Sequence, residues 1–283
     1  MSSISEILKK ATEVLQSSGI AEPRREASSL LAFALQKDRT FLITRNDYEL
    51  SNDEETNFQA VLKRRAAREP LQYITGRQEF YGLDFIVTPD VLIPRPETEM
   101  IVENAVEILK PRKNAQFCEI GVGSGCISVS ILHNTKAASA MGLDVSEKAL
   151  KIAELNAENH RVADRLTLKV SDVFGALSVE KFALIVSNPP YIPREDIPNL
   201  QAEVRDFEPV NALTDGGDGL SIIEKIVCAA PQFLTPGGFL LLEIGFRQAE
   251  AVNALFDAEI WRSVEILPDL QGIPRMVKSQ LKD

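Results

Sequence analysis

The stretch Cys118–Leu132, CEIGVGSGCISVSIL, changes from an apolar run into a helical pattern across three closely spaced glycines. Glycines between a strand and a helix permit a tight turn, and they let a ligand approach the backbone and the first turn of the helix. A dinucleotide-binding loop reads Gly-x-Gly-x-x-Gly, and here Cys126 stands at the third glycine position. The stretch therefore predicts a strand, a glycine turn and a helix without the dinucleotide fingerprint. A turn that binds no ligand is the alternative.

The chain after residue 112 repeats this alternation. Helical segments separate short apolar runs at 116–120, 139–144, 166–170, 182–187 and 238–244. Strands that alternate with helices form a parallel sheet covered on both faces. The end differs, because WRSVEIL (261–267) and RMVKSQL (275–281) read as two strands with a short connection, which suits an antiparallel hairpin. We predict an α/β domain with a mostly parallel seven-stranded sheet and an antiparallel last strand.

The first 75 residues carry the pattern of a small helical bundle. Apolar residues recur at helical spacing from Ile4 to Leu15, and Pro23 can open a second helix. Ser51 and Glu54 have the spacing of a capping box before a third helical pattern. No cluster of catalytic residue types occurs in this part of the sequence.

Three segments follow from these patterns. Residues 1–75 form the helical domain, which we interpret as a substrate-recognition domain because it lacks catalytic residue types. Aromatic and β-branched residues with interspersed glycines and prolines make 76–95 a β-hairpin and linker. Residues 96–283 form the α/β domain.

The charge distribution argues against a general nucleic-acid binder. The net charge is −10, whereas such proteins usually present a basic field. Residues 1–95 are nearly neutral, with 13 Lys/Arg and 14 Asp/Glu, so most of the negative charge lies in the rest of the chain. The first part also contains a basic run whose members are Lys63, Arg64, Arg65 and Arg68. The run is either a solvated helix face or a docking surface for a negatively charged partner.

Composition and targeting signals limit the class of protein further. With 283 residues and 45% hydrophobic residues, the chain can bury a full core, and it has no apolar run long enough for a bilayer span. The start, MSSISEILKK, lacks the order of a secretory signal. Three cysteines without paired spacing and two histidines predict no disulfide framework and no metal site. We expect a cytoplasmic protein with no membrane partner.

Two aspartates follow predicted strands on either side of the second helical segment. Asp144 ends the second strand, 19 residues after Gly125, where a carboxylate can accept hydrogen bonds from two ribose hydroxyls. Asp172 ends the third strand, where a carboxylate can accept from an adenine amino group while Val173 or Phe174 packs on the ring. The alternatives are a helix cap for Asp144 and a loop cap for Asp172.

The segment VSNPPYIP, Val186–Pro193, ends the fourth strand with groups suited to a planar nitrogen. An amide or nucleobase nitrogen is a poor nucleophile, because its lone pair is delocalised. Two acceptors, the Asn188 side-chain oxygen and the Pro189 carbonyl, can hold its two N–H groups and direct it at an electrophile. Pro190 stiffens the turn, and Tyr191 can pack on the flat group. A rigid or cis-proline turn without chemistry is the alternative.

Together, the glycine loop, the two aspartates and NPPY resemble the class I S-adenosylmethionine-dependent methyltransferases that act on a planar nitrogen. The segment Glu69–Glu99, EPLQYITGRQEFYGLDFIVTPDVLIPRPETE, closely resembles the linker signature of the release factor glutamine methyltransferases, the HemK/PrmC family. The resemblance covers nearly the whole chain. It implies a Rossmann-like methyltransferase domain with a helical N-terminal domain.

The family resemblance implies a substrate, a cofactor and a set of site residues. Members methylate the glutamine side-chain amide in the Gly-Gly-Gln loop of class 1 peptide chain release factors, using S-adenosylmethionine and releasing S-adenosylhomocysteine. The cofactor residues implied are Gly121, Val122, Gly123, Ser124, Gly125, Asp144, Asp172, Val173 and Asn188. The substrate-amide clamp implied is Asn188, Pro189, Pro190 and Tyr191.

This chain departs from the family pattern at two positions. Glu119 stands where aspartate is usual, and Val122 replaces a small hydroxyl residue. Because neither change removes a backbone donor, we expect weaker cofactor binding at most.

Two other functional classes are weighed against the family. A nucleic-acid adenine or guanine methyltransferase shares NPPY, but it is disfavoured by the net charge and by the lack of a target-recognition domain. A cofactor-binding protein without catalysis has no need of Asn188. We expect a monomer whose protein partner is the release factor, with no direct nucleic-acid specificity.

Overall fold

The computed structural model of the protein describes residues 3–283, which form two compact units. The first unit comprises the chain up to Arg77 together with Gln201–Phe207, and the second comprises Gln78–Leu200 together with Glu208–Asp283. The chain therefore leaves the second unit after residue 200, adds a short helix to the first unit and returns. None of the helices in residues 3–283 is long and apolar enough to cross a membrane.

Helices build the first unit and flank the sheet of the second. In chain order the helices are α1 (Ile4–Ser17), α2 (Pro23–Leu35), α3 (Arg39–Thr44), α4 (Asn52–Ala66), α5 (Leu71–Thr75), α6 (Glu99–Leu109), α7 (Cys126–Asn134), α8 (Glu147–Asn159), α9 (Ala202–Phe207), α10 (Ser221–Phe233) and α11 (Ala249–Asn253). The strands are β1 (Arg77–Phe80), β2 (Leu83–Ile86), β3 (Gln116–Ile120), β4 (Ser139–Asp144), β5 (Leu166–Val170), β6 (Phe182–Ser187), β7 (Leu234–Glu243), β8 (Trp261–Pro268) and β9 (Pro274–Leu281).

The helical unit forms around one buried apolar cluster to which α1, α2 and α4 contribute. Capping boxes close the N-termini of α1 and α4, the second of them built by Ser51 and Glu54. Pro23 occupies the first turn of α2, where its missing N–H costs nothing. The expected helical bundle is confirmed.

The basic run of α4 has acidic partners within the helical unit. Arg65 is buried, and its guanidinium donates to Glu26 and, at 3.0 Å, to Glu203 of α9. Arg68 donates to the other Glu203 oxygen at 2.7 Å. For Arg65 and Arg68 both sequence interpretations, a solvated face and a free docking surface, are therefore wrong. The reason is that Glu203, 138 residues after Arg65, reaches this unit only through the excursion of α9.

The second unit is built on a large, mostly parallel sheet. Within the described residues seven strands follow the order β5-β4-β3-β6-β7-β9-β8, and β9 alone among them runs in the opposite direction to the other six. Phe117 and Cys118 on β3 belong to different buried clusters, because successive side chains point to opposite faces. One cluster includes side chains of α6, α7 and α8, and the other includes α10 and α11. The predicted α/β class and antiparallel last strand are confirmed.

The strand register aligns the carboxyl ends of four parallel strands. Ile120 pairs with Leu143 and with Ser187, and Ser187 pairs with Leu242. The residues that follow these four aligned positions are Gly121, Asp144, Asn188 and Glu243. These four residues lie at one edge of the sheet, where ligands bind in open α/β folds.

The predicted hairpin is a two-stranded sheet packed into the second unit. Tyr81 and Gly82 connect β1 to β2 with φ angles of 52° and 74°, the left-handed pair that a tight hairpin requires. The buried Asn156 side chain of α8 accepts from the Ile86 N–H at 2.8 Å and donates to the Ile86 carbonyl at 2.9 Å. This amide fixes the end of the hairpin to the α/β unit.

Candidate active site

A cleft opens at this carboxyl edge, inside the second unit. It is lined by ten of the residues predicted from sequence: Gly121, Val122, Gly123, Ser124, Asp144, Asp172, Val173, Asn188, Pro189 and Pro190. Gly125 and Tyr191 are not among its lining residues. The edge thus brings together side chains from four separate βα connections.

The glycine loop leaves space at its first two glycines and packs a helix at its third. A Cβ on Gly121 or Gly123 would have no neighbour closer than 3.9 or 4.0 Å, so both positions border open cleft. A Cβ on Gly125 would lie 3.1 Å from the Ala153 side chain of α8. Gly125 therefore serves close packing of α7 on α8, which explains its absence from the cleft.

The backbone donors of this loop are used within the protein. The N–H groups of Gly121 and Val122 donate to the Leu143 carbonyl at 2.8 and 3.0 Å, and Gly123 donates to Asp144 at 2.9 Å. Gly125 donates to the Val122 carbonyl at 2.7 Å. A pyrophosphate needs such N–H groups free, so these four donors are not available to one in this structure. The loop therefore offers a ligand open space more than it offers free N–H donors.

Asp144 holds the loop and the start of the next helix together. One carboxylate oxygen accepts from Gly123 N–H and the other from Ser146 N–H, both at 2.9 Å. The cap of α8 is the Ser146 hydroxyl, which accepts from Ala149 at 3.2 Å, so Asp144 does not cap that helix. Burial raises the Asp144 pKa, and the backbone bonds oppose the rise. Two lone-pair positions of the carboxylate remain for ligand hydroxyls.

The turn after β5 places Val173 in an unusual conformation. Its φ is 48°, in the left-handed region that a β-branched residue rarely adopts. The buried Ser171 hydroxyl donates to the Val173 carbonyl at 2.9 Å and accepts from the Ala176 N–H at 3.0 Å, which stabilises the turn. Val173 and the exposed Asp172 line the cleft, whereas Phe174 is buried and stacks on another ring of the core. Of the two candidates for packing on a base, only Val173 is thus placed to do so.

The NPPY turn begins beside the glycine loop. No cis peptide bond occurs in residues 3–283, so the cis-proline alternative is wrong. The Asn188 Nδ2 donates to the Thr98 hydroxyl at 3.1 Å. Within the described part of the chain, no protein donor is bonded to Asn188 Oδ1. The Asn188 NH₂ group therefore donates within the protein, and the Asn188 Oδ1 remains available as an acceptor at the cleft.

A buried carboxylate lies behind this turn. Glu243, at the end of β7, accepts from the Thr98 hydroxyl at 2.6 Å and from the Tyr191 hydroxyl at 3.0 Å. Burial raises the pKa of Glu243, and the bonds from Thr98 and Tyr191 oppose that rise. Burial and the neighbouring Glu243 charge also raise the pKa of Tyr191, which keeps the phenol protonated as a donor. The Tyr191 hydroxyl therefore contacts Glu243, and packing of its ring on a substrate stays a prediction.

Several site residues escaped the sequence analysis. Thr98 and Arg95 line the cleft, and Arg95 is paired with the buried Glu208, which also accepts from the Ile93 N–H at 3.2 Å. Glu243 could have been found by the rule that led to Asp144, since both end a parallel strand at the same edge. Thr98 and Arg95 lie inside the segment that carries the family resemblance. No local pattern distinguishes them there.

Glu119 is a second buried carboxyl at the site. It accepts from both the N–H and the hydroxyl of Ser128 near the start of α7. Burial raises the pKa of Glu119 to about 8, against the lowering effect of those bonds. At neutral pH the side chain is mostly protonated. The departure from aspartate therefore places a longer, largely neutral acid against the first turn of the helix.

The cleft suits a ligand with hydroxyl donors and positive charge. The carboxylates of Asp90, Asp144 and Asp172 line it beside the largely neutral Glu119, and the Arg95 charge is balanced by Glu208. This balance of charge would repel a pyrophosphate and attract a cation. Asn188 and Pro189 line the same cleft, and the free Asn188 Oδ1 is an acceptor suited to an N–H group.

Two family models and several named proteins are similar to this chain. Residues 6–76 match the family described as PrmC N-terminal domain, and residues 98–207 match the methyltransferase small domain. The release factor glutamine methyltransferase of Geobacter sulfurreducens is 43% identical over 98% of this chain and 96% of its own length. The protein of the same name from Burkholderia pseudomallei is 43% identical over 94% of both chains.

A solved structure agrees with the fold. The crystal structure of a methyltransferase from Pyrococcus furiosus matches 80% of this chain and 98% of its own, with a TM-score of 0.53 and 19% identity. The sheet order, the antiparallel β9 and the cleft at the carboxyl edge define a class I methyltransferase. Within that class, the chain belongs to the release factor glutamine methyltransferase family. The resemblance drawn from the sequence motifs is confirmed.

Proposed function

We propose that this protein transfers a methyl group from S-adenosylmethionine to the side-chain amide nitrogen of the glutamine in the Gly-Gly-Gln motif of class 1 peptide chain release factors, with S-adenosylhomocysteine as the product. The observation that carries the proposal is the Asn188 amide, whose Nδ2 is bonded to Thr98 while its Oδ1 remains available at the cleft. With the Pro189 carbonyl, this oxygen provides two acceptors for the two N–H groups of a primary amide. Because translation termination is cytoplasmic, we place the reaction in the cytoplasm.

The cofactor proposal rests on three features of the cleft. Gly121 and Gly123 leave space that a Cβ would fill, Asp144 keeps lone pairs for the ribose, and the acidic lining suits a sulfonium cation. Val173 supports the adenine ring in this reading, and Asp172 accepts from its amino group. The Val122 side chain packs over Gly142 in the interior, so its change from a hydroxyl residue leaves the backbone of the loop in place.

The residues of the chain act on the substrate nitrogen by orientation. S-adenosylmethionine supplies an electrophilic methyl group on sulfur when bound. Asn188 Oδ1 and the Pro189 carbonyl accept the two amide N–H groups, which holds the nitrogen in line for attack. As the nitrogen gains positive charge its N–H groups become stronger donors, so both hydrogen bonds strengthen towards the transition state. The bond from sulfur to the methyl group would break as the bond to nitrogen forms, and the cationic nitrogen would then release one N–H proton to water. Positioning therefore replaces a strong base at the outset of the reaction.

The decisive experiment is methyl transfer to purified release factor. Wild-type enzyme should add one methyl group to the Gly-Gly-Gln glutamine and none to a release factor with alanine at that position. Asn188→Ala should lower turnover by about two to three orders of magnitude, the scale for loss of one preorganised contact, with cofactor affinity changed far less. Asn188→Asp keeps an acceptor and should retain part of the activity. Methylation of adenine in DNA, with none of the release factor, would move the chain to the nucleic-acid class.

We further propose that the helical unit recognises the body of the release factor. Its described residues contribute no side chain to the cleft, and it presents an apolar groove that includes Phe33, which is 43% exposed, and Val61. Phe33→Asp should raise KM for the intact release factor but not for a short Gly-Gly-Gln peptide. Leu155→Asp, at an apolar position of similar exposure (45%) in the other unit, is the matched control. Equal KM values for wild type and Phe33→Asp on the intact protein would contradict this role.

A further inference from the structure

A chain of hydrogen bonds links Asn188 to a carboxylate outside the cleft lining. Asn188 Nδ2 donates to Thr98 Oγ1 at 3.1 Å, and Thr98 Oγ1 donates to Glu243 Oε2 at 2.6 Å. The other oxygen of Glu243 accepts from the Tyr191 hydroxyl at 3.0 Å. Thr98 and Glu243 are both buried, at 2% and 3% exposure, so water does not compete for these bonds. The four side chains form one connected network.

The direction of the bonds in this network is set by Glu243. A carboxylate is an acceptor only, and both of its oxygens face hydroxyl groups. The single proton of the Thr98 hydroxyl is therefore used on Glu243. The Thr98 oxygen is left with lone pairs towards Asn188, and only the amide nitrogen of Asn188 can donate to them. A reversed amide would bring two acceptor oxygens together in a buried place, which is unfavourable.

We infer that Glu243 and Thr98 are positioning residues that determine which end of the Asn188 amide faces the substrate. The inference deepens the proposed function and rests on it. A reversed amide would present an NH₂ group to the substrate N–H, donor against donor, and the acceptor that the reaction requires would be lost. Glu243 thus acts on a substrate it does not touch, through one hydroxyl and one amide.

Tyr191 has a supporting place in the same network. Its hydroxyl holds the second oxygen of Glu243, and its own carbonyl accepts from the buried Gln248 side chain at 2.9 Å. Gly219 lies against this carbonyl so closely that a Cβ would come within 2.1 Å of it. The turn that carries Asn188 is therefore fixed at its far end as well.

Substitutions at Thr98 separate the hydroxyl from the shape of the side chain. Thr98→Val keeps the branched shape and removes the hydroxyl, and Thr98→Ser keeps the hydroxyl. The Thr98 hydroxyl does not cap α6, so its loss removes no helix cap. Thr135→Val is the matched control, since Thr135 is also buried and its hydroxyl bonds only the Ile131 carbonyl within the described hydrogen bonds, outside the cleft lining.

With release factor as the substrate, we expect Thr98→Val to lower kcat by about 10- to 100-fold, less than the full loss of an acceptor, while cofactor Kd stays unchanged. Thr98→Ser should keep a kcat close to the wild-type value, and Thr135→Val should have the wild-type kcat. Glu243→Met, which has a similar length and removes both acceptor oxygens, should resemble Thr98→Val. The decisive arm is the double variant Thr98→Val/Asn188→Ala, which should be no slower than Asn188→Ala alone. A full additional loss in the double variant, or an unchanged kcat in Thr98→Val, would overturn the inference.

A second readout does not depend on the substrate. In nitrogen-15 NMR spectra, the Asn188 side-chain NH₂ signals, assigned by their loss in Asn188→Asp, should exchange slowly in wild type and in Thr98→Ser. They should shift and exchange faster in Thr98→Val. Identical signals in Thr98→Val would refute the network whatever the substrate. If wild-type enzyme leaves release factor unmodified while the NMR result holds, the proposed function fails and the positioning of Asn188 stands.

Discussion

Replacing Asp144 with alanine tests how the cleft holds its cofactor. Each carboxylate oxygen already accepts one backbone N–H, from Gly123 and from Ser146, at 2.9 Å. A carboxylate offers about four lone-pair positions, so about two remain for two ribose hydroxyls. A hydrogen bond to a charged group contributes about 1.5–3 kcal/mol, and water replaces part of the lost pair in the variant. We therefore expect affinity for S-adenosylmethionine to fall by about 1.5–3 kcal/mol, or about 10- to 150-fold in Kd.

Titration calorimetry on folded protein measures this loss. The variant also leaves the Gly123 N–H without its acceptor, so circular dichroism and a urea unfolding curve must first establish that it is folded at the titration temperature. Asp90→Ala is the matched control. Asp90 lies at the same cleft and loses the same charge, but its side chain is 40% exposed and pairs only with the exposed Lys148 among its described ion pairs. We expect Asp90→Ala to bind with nearly wild-type affinity. An Asp144→Ala protein that is folded and binds as tightly as wild type would remove Asp144 from the ribose site.

Two further predictions concern buried ionisable side chains. Burial raises the pKa of Glu119 to about 8, so between its ordinary value of 4.5 and about 8 the native state holds a proton that the unfolded state has released. The stability of wild type then falls as pH rises, by about 1.4 kcal/mol per pH unit. In urea unfolding from about pH 5 to 8, Glu119→Gln should therefore become progressively more stable relative to wild type. Parallel pH profiles of the two proteins would contradict the raised pKa. Arg65→Ala leaves Glu26 without its ion-pair partner and Glu203 with Arg68 alone, and it should cost about 3 kcal/mol in the same assay. The half-exposed Arg64→Ala should cost less than about 1 kcal/mol, and equal losses would show that the Arg65 network adds nothing.

The proposed chemistry demands accurate orientation rather than strong acids or bases. Neither buried carboxyl at the site is placed as a base for the substrate, because Glu119 is bonded to Ser128 and Glu243 to two hydroxyls. Glu243 instead orients Thr98, which faces the cleft, and Glu119 binds the buried Ser128 at the start of α7. The protein thus uses its buried acids to fix donors and acceptors in place, which is what a reaction limited by the alignment of a weak nucleophile requires.

The secondary structure of the α/β unit could be predicted because it depends on local periodicity. The apolar runs predicted at 116–120, 139–144, 166–170 and 182–187 coincide with β3 to β6. β7 starts at Leu234, four residues before the predicted run, because the strand continues through a register irregularity beside Phe182. Such an irregularity arises from pairing with a neighbouring strand, and periodicity within one strand does not reveal it.

The sequence by itself also determined where the candidate site lies, since residues that end parallel strands meet at one edge of the sheet. Gly121, Asp144 and Asn188 could be named for that reason. Only the tertiary structure decided which partners they have. The Thr98–Glu243 bond joins residues 145 positions apart, and the Arg65–Glu203 pair joins residues 138 apart. Each of these two contacts depends on how two elements pack side by side. No short-range sequence pattern encodes that packing, because the same side chains would be equally well solvated on the surface of a different fold.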